Sequence, residues 1–194
     1  DWVPEYDFAN TLAPAAPSSG QPVATVPGLT DLTLTWTHLP VVGNFRVGNQ
    51  GEPMGMEHVT SDLYLDFLER SYLRDALWGP FNNGFGPGMT FFNWSEFQEA
   101  TCAVGIYAND TNSFGYEIGG DLAATGRVTF CPYYDEPSDG AYLIHFGMSG
   151  SVREPDQGQV RLRTRGDVRS GPPGVLNPIY ADTGKLDASQ QDIA

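Results

Sequence analysis

The chain has 194 residues and a formal net charge of −14, from Asp+Glu 24 against Lys+Arg 10, with only 18% charged residues. So negative a balance argues against a nucleic-acid backbone as partner, because like charges repel. No apolar run approaches the roughly 20 residues a membrane-spanning helix needs, which excludes helical spanning and leaves spanning by strands open.

Gly 23, Pro 15 and 12% aromatic residues fit many turns joining short strands. The chain opens on Asp1 and Trp2 with no secretory leader in view, and is read as processed or excerpted. Cys102 and Cys131 are too few for a disulfide scaffold and lack metal-ligand spacing. They are read as apolar fillers, with a hairpin that brings them near one another as the alternative.

Residues 1–11 read as a strand and 12–28, rich in Pro, Ala and Ser, as a long loop. Residues 29–38 hold the most regular alternation, with Leu32, Leu34 and Trp36 on one face and Thr33, Thr35 and Thr37 on the other. After a turn over 39–43, residues 44–48 return with Phe45 and Val47 opposite Asn44 and Arg46. Residues 50–78 break this rhythm. Glu52-Pro53 opens them, and Leu65, Leu68, Tyr72 and Ala76 recur at spacings of three and four, which predicts one or two short helices. Residues 77–88 read as a Gly/Asn/Pro loop.

Strands resume over 89–93 and, after a turn at 94–99, over 100–108, where Cys102, Val104 and Ile106 oppose Ala103, Gly105 and Tyr107. A polar loop over 109–120 precedes a strand over 121–133, with Val128 and Phe130 opposite Thr125, Arg127 and Thr129. Asp135, Glu136 and Asp139 make an acidic turn, read as solvated rather than as a calcium site. Residues 142–149 then set Tyr142, Ile144, Phe146 and Met148 opposite Leu143, His145, Gly147 and Ser149. Following a turn over 153–158, residues 159–169 are read as a strand with Arg161, Arg163 and Arg165 on one face and Val160, Leu162 and Thr164 on the other. Beyond Ser170 the chain is loop-like, and 187–194 show no pattern.

About eight strands therefore meander antiparallel with one helical interruption. Arg46, Arg127, Arg161, Arg163 and Arg165 all fall on faces opposite the apolar ones. In a membrane barrel that pattern means lipid outside and an anion-attracting lumen inside. In a soluble sandwich the same arginines would meet bulk water, and the alternative function is a carbohydrate-binding module using Trp36, Trp78 and Trp94 as stacking platforms. His38, His58 and His145 share no motif or ligand spacing, so neither metal nor cofactor is expected. The nucleophile-elbow, dinucleotide-binding and zinc-protease signatures are all missing, and the chain is read as no enzyme.

Several segments, in order, resemble the phosphate-selective porin family, the O and P type porins of bacterial outer membranes. They are Leu39-Pro40-Val41-Val42-Gly43-Asn44-Phe45-Arg46-Val47-Gly48, Glu52-Pro53, Thr60-Ser61 and Phe67-Leu68-Glu69-Arg70-Ser71. The set continues with Ala123-Ala124-Thr125-Gly126-Arg127-Val128-Thr129, Pro132-Tyr133-Tyr134, Leu143-Ile144-His145-Phe146-Gly147, Val160-Arg161-Leu162-Arg163-Thr164-Arg165 and Ala181-Asp182-Thr183-Gly184.

The resemblance implies an all-β fold, an antiparallel up-and-down transmembrane barrel of 16 strands of which this chain supplies about half, with a short helical loop folded inward. Residues 1–184 form that barrel segment and 185–194 are unassigned. It implies a homotrimer in outer-membrane lipid, passing small anions such as phosphate along an arginine ladder. The ladder carries over to Arg161, Arg163, Arg165 and Arg169, and the segment leading to the constriction to Glu69 and Arg70. Two positions depart from the family's basic pattern, Gly51 before Glu52-Pro53 and Asn82-Asn83 after the insertion, so the expectation is a general or weakly anion-selective pore.

Overall fold

The computed structural model describes residues 2–7, 28–65, 70–78, 85–97, 99–108, 122–138, 140–155, 158–165, 179–188 and 191–193. Seven strands follow one another up and down: β1 Trp2–Asp7, β2 Gly28–Leu39, β3 Gly43–Gly51, β4 Phe85–Trp94, β5 Ala100–Ala108, β6 Leu122–Tyr134 and β7 Leu143–Arg153. Each pairs antiparallel with the next, and β12 Gln191–Ile193 adds an eighth strand beside β7. Between β3 and β4 lie helix α1 Met56–Val59, a 3-10 turn Asp62–Tyr64 and helix α2 Tyr72–Trp78.

The rungs of the sheet show why these residues pair. One rung runs Leu34, Val47, Met89, Ile106, Ala124, Val152, and is apolar throughout. The next runs Thr35, Arg46, Thr90, Gly105, Thr125, Ser151, and carries hydroxyls, a guanidinium and one glycine. Burial is the reverse of a soluble protein's. Met89 and Ile106 are 46% and 49% exposed, whereas Thr90 and Thr125 are 5% and 1% exposed. Among the described residues no second sheet of this chain covers the apolar face. A soluble sandwich would require one.

Aromatic rings continue the apolar side. Trp36 stacks on Phe45 at 5.7 Å between centroids, and Phe45 meets Phe91 at 4.8 Å. That rung then passes through Val104 to Gly126 and Gly150, whose missing side chains leave a depression of about 670 Å³ bordered by Phe91, Val104, Val128 and Met148.

The connections alternate in length along the sheet. Residues 40–42, 95–99 and 135–142 are short turns at one end, while 8–27, 52–84 and 109–121 link the strands at the other. Trp36, Tyr133 and Tyr142 lie exposed near the short-turn end. Barrels of the outer-membrane kind share this asymmetry and these interfacial aromatics.

Three segments differ from the sequence expectation. Strand β4 starts at Phe85, inside the stretch read as a Gly/Asn/Pro loop. Gly88 and Gly105 sit on either side of the Tyr107 ring, and a Cβ at Gly88 would come within 2.5 Å of it, so these glycines serve a close approach within the sheet. The arginine-rich segment is two short strands rather than one. β8 Gln159–Val160 pairs with β11 Leu186–Asp187, and β9 Arg163–Arg165 pairs with β10 Ile179–Asp182, both outside the main sheet. Finally, the patternless end forms β12 on the edge of β7. Both cysteines are free thiols, Cys102 on the apolar face.

The β2–β3 turn places Val41 at φ 75, a left-handed conformation that a β-branched side chain resists. Its side chain is fully exposed and loses no packing on truncation. Val41→Gly is therefore expected to raise stability by about 1 kcal/mol, measured as a higher urea midpoint for the protein refolded into vesicles.

Candidate lumen face and its inward insertion

Alternation within each strand brings Thr33, Arg46, Gln50, Thr90, Tyr107, Thr125, Arg127, Thr129, Ser149, Ser151 and Arg153 to one face. The insertion between β3 and β4 lies on that face. Its backbone at Gly55 donates to Ser149 Oγ at 3.1 Å, Met54 is 1% exposed, and the His58 ring on α1 meets Phe85 of β4 edge-on at 5.6 Å.

A buried ion pair fixes the root of the insertion. Arg153 Nη1 donates to Glu52 Oε1 at 3.0 Å and Nη2 donates to Oε2, while Thr125 Oγ1 donates to Oε2 at 2.9 Å and shares a hydrogen bond with Ser151 Oγ at 2.8 Å. Side-chain exposure is 0% for Arg153 and 4% for Glu52. Charges this deep are tolerable because the fork–carboxylate geometry and the threonine hydroxyl satisfy the carboxylate on both oxygens. Beside it, Gln50 accepts from Thr90 Oγ1 at 3.0 Å and donates to Gly88 O at 3.1 Å, and the Thr90 and Tyr107 hydroxyls lie 2.5 Å apart. The Glu52 bonds join the insertion to the wall, and the Gln50 network ties β3, β4 and β5 beside them.

A second brace closes the insertion on itself. Arg70 donates from Nε to Glu57 O at 2.7 Å and from Nη2 to Thr60 O at 3.0 Å, holding carbonyls at the end of α1. Glu57 accepts from both the Ser71 hydroxyl (2.6 Å) and the Ser71 N–H (2.9 Å). The Ser71 hydroxyl above all, with the Ser71 N–H and the Arg70 and Arg74 charges, holds the Glu57 carboxyl below its ordinary range against the opposing effect of burial. Arg74, buried beneath, reaches His58 Nδ1 at 3.4 Å.

Of the residues expected from the sequence, Arg46 and Arg127 stand on the polar face of the main sheet. Arg46 Nε donates to Thr35 Oγ1 at 3.2 Å, and its guanidinium lies 4.9 Å from the centre of the Phe92 ring. Arg161 is exposed and forms a bidentate pair with Asp182. Arg163 and Arg165 belong to β9, which packs against α2, with Tyr72 and Tyr180 edge to face at 6.0 Å. Glu69, Arg169, Asn82, Asn83 and Asp139 lie outside the described residues. Among the described residues no cluster of His, Cys, Asp or Glu is arranged to hold a metal.

Glu52–Arg153 and the Gln50–Thr90–Tyr107 network went unassigned by the sequence. In the sequence Glu52 stands at the opening of the insertion and Arg153 at the start of a turn. Parity carried the missing signal, since Arg153 is two and four residues beyond Ser151 and Ser149 on the same face.

A family model described as phosphate-selective porin O and P matches residues 1–171. No curated protein and no solved structure matched the chain.

Glu52→Ala leaves Arg153 buried without its carboxylate, a loss of about 3–5 kcal/mol. The variant is expected to unfold at lower urea and to show a larger, noisier single-channel current, with the exchange Glu52→Arg/Arg153→Glu recovering part of both. The depressed Glu57 carboxyl stabilises the insertion at neutral pH, and that contribution fades as pH falls through its lowered value. Current noise should rise as acidification protonates Glu57, and Ser71→Ala should move that onset to higher pH.

Proposed function

The chain belongs to the phosphate-selective porin O and P family, a segment of a bacterial outer-membrane β-barrel channel, and from this we infer that its pore prefers small anions. The observation that supports the reading most is the inverted sheet, with guanidinium and hydroxyl groups on the face covered by the insertion and aliphatic groups on the face left bare. A channel of this kind makes and breaks no bonds. Solutes pass down their gradient through water, and the protein contributes only width and field.

Arg46, Arg127, Arg161, Arg163, Arg165 and Arg169 are the groups proposed to supply that field, and the segment around Glu69 and Arg70 the narrowing. Guanidinium groups keep their charge at all working pH and offer weak, successive sites that an anion enters and leaves. Since Gly51 and Asn82 replace basic residues of the family pattern, the preference is proposed to be modest and phosphate one of several permeant anions. Three copies are proposed to assemble in the membrane. Their apolar faces meet lipid elsewhere, and light scattering in detergent reads the stoichiometry.

The test uses the complete protein in planar bilayers. In a potassium chloride gradient the reversal potential should report anion over cation preference, and replacing Arg161, Arg163 and Arg165 together by Ala should move it toward zero. An unchanged potential in the triple variant would remove the arginine segment from the account.

A further inference from the structure

A cation in a pore wall acts on a passing ion only if water reaches it and no neighbouring anion has cancelled its charge. Applied to the arginines whose side chains are described, this condition separates them. Arg153 is enclosed with Glu52, and Arg161 is paired with Asp182. Arg74 is 8% exposed, and Arg70 is spent on the carbonyls of Glu57 and Thr60. Arg46 keeps its charge but is tied to Thr35 and lies by the Phe92 ring.

Arg127 is different. It is half-buried in the middle of β6, on the polar face, and has no hydrogen-bond or ion-pair partner among the described residues. Its rung reads Asn44, Phe92, Ala103, Arg127, Ser149, so the neighbours on either side are a methyl and a hydroxymethyl group that leave the guanidinium uncrowded. Thr125 and Thr129 flank it on the same face of β6, and Thr129 Oγ1 shares a hydrogen bond with Thr101 Oγ1 at 2.5 Å. Ser149 is also where the insertion touches the wall, through the Gly55 N–H. An unpaired cation therefore stands one strand away from the point at which the insertion presses against the barrel.

We propose that Arg127 is the specificity-determining residue of this wall, the site at which a small anion exchanges part of its water for a guanidinium beside the narrowing. The proposal rests on the anion-preferring reading above and assigns that preference to one residue. An entering anion meets donors with no internal acceptor to compete, whereas at Arg161 or Arg153 it would have to displace a carboxylate. Contact with a single half-exposed guanidinium is weak enough for release, as conduction requires.

Single-channel recording of the complete protein in a potassium chloride gradient tests this with Arg127→Ala, Arg127→Lys and, as a control, Lys185→Ala, an exposed cation between β10 and β11. Arg127→Ala should lower the anion-to-cation permeability ratio roughly twofold or more, Arg127→Lys should retain most of it, and Lys185→Ala should leave it within error. An unchanged ratio in Arg127→Ala overturns the proposal. So does a loss in Arg127→Lys equal to that in Arg127→Ala, which would mark a packing role rather than a charge. If the native channel itself shows no anion preference, the parent reading fails first, and the two failures are told apart by that control.

Discussion

A β-sheet that turns its hydroxyls and guanidiniums to one side and its aliphatic and aromatic side chains to the other persists only where each side meets its own solvent. Here Leu34, Met89, Phe91, Ile106, Val128, Phe146 and Val152 form the bare side, while Thr90, Thr125, Ser151 and Arg153 are covered. In water the first set would lose roughly 25 cal/mol for each Å² left exposed. In a bilayer the exposed aliphatic side is matched by acyl chains, and the backbone is satisfied by strand pairing. Membership of an outer-membrane porin family and this inverted burial are two independent routes to the same environment.

The inward polar face creates the second constraint, since it cannot be filled with an apolar core. The insertion between β3 and β4 brings its own polar partners instead. Glu52 engages Arg153 and Thr125, and Gly55 engages Ser149. Buried charge of this kind contributes modest net stability, but it fixes one position for the insertion because misplacement would strand Arg153 without a counterion. Arg70 then sets the shape of the insertion by holding two carbonyls near the end of α1. The seat of the insertion on this sheet thus depends on a few hydrogen-bonded charges.

The alternation in residues 29–38 and 121–133 was legible because a period of two is a local property, visible without knowing the partner strand. For the same reason Arg46 and Arg127 could be placed opposite the apolar face from sequence alone. Phe85–Gly88 was not legible as strand, because Gly-Pro-Gly reads as a turn until the Tyr107 ring that needs the space is known. Glu52 and Arg153 stand 101 positions apart, a separation no spacing rule spans. The segment from Gln159 to Arg165 shows the opposite failure. Its local period is perfect, yet pairing with Ile179–Asp182 and Leu186–Asp187, aided by Arg161 on Asp182, takes it out of the main sheet. Strand period predicts faces, and pairing energy decides neighbours.

Site-directed spin labelling along β6 examines the inverted sheet most directly. In a background with Cys102 and Cys131 replaced by Ser, single cysteines at Ala124, Thr125, Arg127, Val128, Thr129 and Phe130 would be labelled and the protein reconstituted in vesicles. Collisions with oxygen should dominate at Ala124, Val128 and Phe130, and collisions with a water-soluble nickel chelate should be greater at Thr125, Arg127 and Thr129, a period of two with opposite phase for the two reagents. Nickel accessibility that is equal at all six positions, or oxygen accessibility greatest at the threonines, would contradict a sheet with lipid on its aliphatic side and water on its polar one.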